Sequence, residues 1–392
     1  MTEVARSVGS GTAAAGSSAA GMSAAGSSTT GSVADADLAA IRDQFQPAAG
    51  ITYLDTATYG LPPQATVNAL QEATLAWQAG TGNWQSDWDL PTDQAPRDFA
   101  SLIGAPADTI ATIPAASVGT GLIAGHLAPG GEVVVPADEF TSTLFPLLVA
   151  KERGAIIREV SFDDVASSVR SSTRLVALSL VQMQTGRVAD MGAILDAAER
   201  HGAQVIVDAT QGVPFVALEP FIDRIDYLVC SGYKHLLSPR GTAYLYVHRD
   251  RWDKLEPRNA NWRAADEPFA RYFGGPLTLA PDARRFDVSR AWFPWVGATA
   301  SLALLAEWKA AGVFGQVLGL AEALADRLGV PWYGSSLVCA PLADGEAARG
   351  ALAAAGVRAS VRGTAIRFAV HVYNTESDLD RAAEAIAPFH GR

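Results

Sequence analysis

Two apolar, β-branched runs in this chain end on side chains that can do chemistry. Val205-Ile206-Val207 leads into Asp208, with Gln211 close behind, and Tyr227-Leu228-Val229-Cys230 leads into Ser231-Gly232-Tyr233-Lys234-His235. A carboxylate at the end of an apolar strand is costly to bury unless a cation or a hydrogen-bond donor meets it. A lysine in a largely buried site has its pKa lowered, which suits covalent chemistry between its amine and a carbonyl. Spacing alone leaves a second reading open, a mutual salt bridge across neighbouring strands.

The elements that must position this pair alternate along the chain. Apolar runs predict strands over 110–113, 132–135, 156–160, 175–180, 205–207, 227–230 and 243–247, with helices over 118–126, 143–153 and 192–201 among them. Near-continuous apolar strands alternating with amphipathic helices mean an α/β fold, with a mostly parallel seven-stranded sheet sandwiched by helices. Upstream, the pattern predicts helices over 37–44, 66–79 and 94–103, a strand from 51 to 57, and an ordered loop over 81–92 carrying Trp84 and Trp88. Downstream come a loop-rich stretch with Trp252, Trp262, Phe269, Tyr272 and Phe273, a helix over 295–311, and a small α+β unit. That unit has strands over 337–340, 360–362 and 365–369 and helices over 346–355 and 376–387. The expected organisation is a low-complexity tail over 1–35, an N-terminal arm over 36–104, a large domain over 105–290 and a small C-terminal domain over 291–392.

Ligands bind open parallel sheets at the carboxyl ends of the strands. After 110–113 stands Ala115-Ala116-Ser117-Val118-Gly119-Thr120-Gly121, small residues entering a helix N-terminus whose free N–H groups favour a phosphate. Taken alone, such a turn is mostly just a turn. After 132–135 comes Phe140, which could stack on a planar ring or belong to the core. After 175–180 comes Gln182, an amide that could bind a ligand or sit in a surface loop. Taken together, a phosphate turn, a rim aromatic, an amide, a carboxylate and a lysine at one sheet edge match a phosphorylated, cationic aromatic ring that bonds to an amine. Pyridoxal phosphate is such a ligand.

At these residues the sequence resembles the class V aminotransferase family of fold-type I pyridoxal phosphate enzymes. The matching pieces are Asp208-Ala209-Thr210-Gln211, Ser231-Gly232-Tyr233-Lys234 and Pro239-Arg240-Gly241, with Tyr53-Leu54-Asp55, Ile366-Arg367-Phe368 and Tyr373-Asn374-Thr375 at the flanks. The resemblance implies that Lys234 bonds the cofactor and moves the substrate's α-proton. It implies that Asp208 pairs with the ring nitrogen, Gln211 with the ring hydroxyl and Gln182 with the ring. Phe140 would stack on the ring, and Ser117, the Val118 amide, Ser231 and Tyr233 would hold the phosphate. Arg367 would bind the substrate carboxylate, with an internal ion pair as its other reading. The family is typically a homodimer with active sites at the interface, and the segment 286–290 resembles the piece that reaches the partner's cofactor. Ser289-Arg290 replaces the usual Gly-Thr there, so that contact is unassigned. Trp262, Trp292 and Trp295 could shape the pocket, the interface or the core. Desulfurases of the family need a cysteine on a loop before the terminal arginine; Val361-Arg362-Gly363-Thr364-Ala365-Ile366-Arg367 has none. The expected reaction is transamination or elimination on an amino acid. An epimerase, or a non-catalytic protein on the same fold, is the alternative.

Composition narrows the partners. Among 392 residues, 30 basic and 41 acidic side chains leave a net charge of −11 without a long basic run, which argues against nucleic acid or an anionic membrane surface. No run of about 20 apolar residues predicts a membrane span. Two cysteines make no disulfide framework, which points to a reducing cytoplasm. No metal site is expected. Residues 1–35, rich in Ala, Gly, Ser and Thr, cannot bury enough apolar surface to order themselves.

Overall fold

The computed structural model describes residues 35–270 and 272–391. The expected tail, apart from Asp35, lies outside them. The described chain opens with α1 (Asp35–Arg42), β1 (Thr52–Tyr53), α2 (Gln64–Ala79) and α3 (Gln94–Ile103). It then alternates through β2 (Ile110–Ile113), α4 (Ala116–Ala124), β3 (Glu132–Pro136), α5 (Thr141–Lys151), β4 (Ile156–Val160), α6 (Val165–Ser168) and β5 (Thr173–Ser179). Next come α7 (Met191–His201), β6 (Gln204–Asp208), β7 (Tyr227–Ser231) and β8 (Ala243–Val247). The C-terminal part holds α8 (Trp292–Ala310), α9 (Val313–Leu328), β9 (Leu337–Pro341), α10 (Gly345–Ala354), β10 (Val357–Arg358), β11 (Ser360–Arg362), β12 (Ala365–Ala369) and α11 (Glu376–Ile386).

Strands β2 to β8 form one seven-stranded sheet in the order β2-β8-β7-β6-β5-β3-β4. Strand β8 is antiparallel to both β2 and β7, and the remaining pairs are parallel, so six strands point the same way. Their carboxyl ends therefore share one edge. The sheet is apolar on both faces, with separate clusters of buried side chains above and below it. Gly119 in α4 allows close packing on one face: a β-carbon there would lie 2.7 Å from Val229 and 2.9 Å from Ile113. A second, three-stranded antiparallel sheet has the order β11-β12-β9. An isolated parallel bridge between Asp55 and Ala369 ties the N-terminal segment to β12.

Three expectations change. The stretch predicted as a loop over 81–92 is helical from Trp84 to Asp93, because the Asn83 side chain caps it by accepting from the backbone N–H groups of Gln85 and Ser86. Helix α9 was not anticipated; its apolar face (Val313, Val317, Ala321, Leu324, Leu328) has helical spacing, diluted in the sequence by Gly315 and Gly319. Helix α4 starts at Ala116, two residues before the predicted start, and this shift matters at the site.

Candidate active site

The carboxyl edge of the sheet gathers most of the sequence-predicted residues around one cleft. Ala116, Phe140, Asp208, Ser231, Tyr233 and Lys234 line it, and its empty space, counted out to open solvent, is about 340 Å³. Asp208 is 4% exposed. One of its oxygens accepts the Thr210 N–H at 2.9 Å and the other the Thr143 hydroxyl at 3.3 Å. Lys234 is 5% exposed. Its Nζ lies 5.0 Å from the Phe140 ring centroid and 5.8 Å from that of Tyr233. Among the described residues no ion pair joins Asp208 to Lys234, so the salt-bridge reading is not what the fold builds. Burial pulls the Lys234 ammonium from its ordinary 10.5 down to about 8; Asp208 opposes this and Arg367 and Arg362 reinforce it.

Phe140 is half-buried on the cleft wall and lies outside both apolar cores. Its backbone is held by Glu139, which sequence reasoning missed. Glu139 accepts the Phe140 N–H at 2.6 Å, and the N–H of Ser179 at 2.7 Å, and also takes the Ser179 hydroxyl. This buried carboxylate therefore fastens the loop after β3 to the end of β5. Burial raises its pKa, and the charge of Asp208 adds to the rise. No signal beyond its place before Phe140 marked it in the sequence.

The helix start at Ala116 changes which amides are left without an intrahelical acceptor. The N–H of Val118 is already spent on the Ala115 carbonyl at 3.0 Å, and its side chain lines a different cavity with Ile113 and Leu122. The first-turn amides of Ala116 and Ser117 have no intrahelical acceptor. These amides sit two and one residues before Val118. Gln182 does not line the cleft. Its oxygen accepts the N–H groups of Gln184 and Thr185 at 2.7 and 2.8 Å, so the amide closes its own turn, and Met183 faces the cleft instead. Gln211 does line the cleft; its oxygen is 2.9 Å from His235 Nε2 and its nitrogen donates to the Ala57 carbonyl at 3.1 Å.

Arg367 on β12 is 2% exposed. One terminal nitrogen donates to Thr58 at 3.1 Å and lies 3.6 Å from Asp55. Its Nε and Nη1 are buried without a hydrogen-bond partner. Arg367 is thus held on one side by Thr58 and Asp55, while Nε and Nη1, on opposite edges of the guanidinium, are left without a protein partner. Burial lowers its pKa to about 10, and the nearby Arg362 adds to this.

The segment 286–290 serves a buried ionic cluster. Arg263 pairs with Asp89, Asp93 and Asp287, and Arg290 pairs with Asp93 at 2.7 Å. Trp262 and Trp292 pack around Trp84, at ring-centroid distances of 5.7 and 5.4 Å. Trp295 stands apart from them, against Tyr244 and Arg290.

Comparison with known proteins decides the family. The aminotransferase class V model matches residues 52–330. This chain belongs to the class V aminotransferase family. A probable cysteine desulfurase of Methanothermobacter thermautotrophicus is 29% identical over 56% of this chain and 57% of its own length. The chain therefore spans little more than half of that relative. A kynureninase of Deinococcus radiodurans is 30% identical over 71% of this chain and 69% of its own. The fold matches the structure of C-DES, in which glycine is covalently linked to the PLP cofactor. The TM-score is 0.80 at 20% identity, covering 89% of this chain and 99% of that one.

Proposed function

We propose that this class V chain is a pyridoxal-phosphate-dependent enzyme that transforms an amino acid or amino-acid-derived substrate by transamination or elimination. One observation carries the reading. Lys234 presents a buried amine with no ion pair, its pKa pulled to about 8, in a cleft that also holds Asp208. At neutral pH about a tenth of such an amine is unprotonated, far more than for an exposed lysine.

The donors in the cleft fit the cofactor's parts. The N–H of Ala116 and the hydroxyl of Ser231 on the cleft wall, with the N–H of Ser117 next along the same helix turn, suit a phosphate. Phe140 offers a ring face beside Lys234. Asp208, fixed by Thr210 and Thr143, would hold a proton on the ring nitrogen. Pyridoxal phosphate, when bound, supplies an electron sink for breaking a bond at the substrate's α-carbon. Lys234 would accept and return the α-proton there. Arg367, with donors the protein leaves unmet, would bind the substrate carboxylate through charge-assisted hydrogen bonds. Met183 lines the cleft and Gln182 does not, so Gln182 would make no ring contact. The same residues would support α-epimerisation if the proton returned to the opposite face. A homodimer and a cytoplasmic location belong to this reading. Among the described residues no helix is long and apolar enough to cross a membrane.

The test is direct. Purified protein supplied with pyridoxal phosphate should absorb in the visible, and borohydride should fix the cofactor on Lys234, found by peptide mass mapping. An amino-acid panel followed for keto acid, ammonia and α-proton exchange then separates the reactions. Protein that stays colourless and takes no label on Lys234 would sink the proposal.

A further inference from the structure

Beside the Lys234 cleft lies a second, larger and more apolar one. Tyr59, Pro62, Leu70, Leu237 and Pro239 give it apolar walls, and its open space is about 900 Å³ by the same measure that gives 340 Å³ for the first. Two residues join it to the site. Tyr233 lines both clefts. Thr58, which accepts from Arg367 at 3.1 Å, lines the second. Thr58 thus sets this apolar cleft beside Arg367 and Tyr233 sets it beside Lys234, so an amino acid held between those two residues would have it as a neighbouring place for its side chain.

The backbone is built tightly around the cleft floor. A β-carbon on Gly60 would lie 2.3 Å from the Lys234 carbonyl and 2.6 Å from a Leu237 methyl group, so only glycine lets the 58–62 segment rest on the Lys234 loop. Leu237 itself has φ of 53°, a left-handed conformation that a leucine adopts at a cost and that clusters where function holds it. The Leu237 N–H closes this turn onto the Lys234 carbonyl at 3.0 Å. The cleft floor and the catalytic lysine are thus one turn of chain. Arg240 lies 5.3 Å over the Tyr233 ring and is the one charged residue among those lining the cleft.

We infer that this cleft is the substrate side-chain subsite, and that the substrate class is an α-amino acid with a sizeable apolar side chain. The inference rests on the proposed function for its Arg367 anchor. It makes a binding prediction independent of turnover. Straight-chain carboxylates from acetate to octanoate should bind the protein with affinity rising roughly three- to fourfold per methylene once the tail reaches the cleft. Leu70→Trp should flatten that rise for the longer acids, and Leu70→Ala should lower octanoate affinity about tenfold without reversing the trend. In the enzyme loaded with pyridoxal phosphate, KM should fall in the order alanine, norvaline, leucine, phenylalanine, and aspartate should be poor. Calorimetry gives the affinities, and sedimentation of each variant reports its oligomeric state. A flat carboxylate series, or one unaltered by both substitutions, overturns the inference. So does a Leu70→Trp protein that changes only its oligomeric state, which would make the cleft a seat for a second copy of the chain. Borohydride labelling of Lys234 keeps the two readings apart: label with a flat series removes the subsite alone, and no label removes the function beneath it.

Discussion

Replacing Lys234 with methionine should stabilise the cofactor-free protein, and by an amount that depends on pH. Burial lowers this ammonium from 10.5 to about 8. Below pH 8 the lysine is charged in both the folded and the unfolded chain, and the folded state carries the full penalty. The 2.5-unit difference corresponds to about 3 kcal/mol at roughly 1.4 kcal/mol per unit. Between pH 8 and 10.5 the folded lysine has lost its proton while the unfolded one keeps it. Wild-type stability must therefore rise with pH in that window, and the advantage of the variant must shrink. Methionine has nearly the same length and no charge, so its own packing adds a constant offset and leaves the pH slope intact. Urea denaturation of both proteins at pH 6.5, 7, 8 and 9 measures the difference. It should lose about 1.4 kcal/mol between pH 7 and 9. Stopping at pH 9 stays below Cys339, whose thiol is pushed up to about 11, and below Arg367 at about 10. A stability difference that does not change over this range would refute the buried, unpaired amine on which the proposed function depends.

Two further outcomes follow from the same geometry. Arg367→Ala should raise KM for amino-acid substrates about 10- to 100-fold in steady-state assays, the range for losing charge-assisted hydrogen bonds; an unchanged KM would leave Arg367 as the partner of Asp55 and Thr58 only. His371 is fully buried and its Nε2 lies 3.0 Å from the carbonyl of His235, the residue after Lys234. His371→Leu should strand that carbonyl and cost about 1–3 kcal/mol in urea denaturation, with His371→Gln recovering part of it; equal losses in the two variants would remove the hydrogen bond from the account.

Much of the architecture was legible because the sheet is buried on both faces. Its strands read as continuous apolar runs, and the residue after each run sits at the shared edge, which is how Asp208, Phe140, Ser231 and Lys234 come together. What sequence reasoning misplaced depends on where backbone donors end up. The shift of α4 by two residues leaves the amides of Ala116 and Ser117, rather than that of Val118, without an intrahelical acceptor. Helix boundaries are set by capping and packing details that periodicity does not encode. Gln182 was placed at the right sheet edge, yet its side chain closes a turn with Gln184 and Thr185, a local alternative open to any amide in a loop. The Glu139 clamp could not be read, since its acceptors are satisfied by Ser179, a residue forty positions away on another strand.

The relationship to desulfurases raises one chemical question that the fold addresses. Cys339 on β9 is paired in register with Arg367 on β12, so the two side chains share a face of the small sheet. The thiol is therefore close to the proposed carboxylate anchor. Closeness is not enough for a sulfur-accepting nucleophile, because the thiolate is the reactive form. Burial pushes this thiol up to about 11, outweighing the lowering by Arg367 and Arg362. At neutral pH it is almost wholly protonated. The β11–β12 hairpin turns through Gly363-Thr364 alone and has no length to carry a mobile cysteine to the cleft. The other thiol, Cys230, is completely buried, and burial and Asp208 push its pKa up as well. Under the proposed function, chemistry would then fall to Lys234 and the cofactor it would hold, which favours bond cleavage or proton transfer at the substrate's α-carbon over sulfur transfer to the chain.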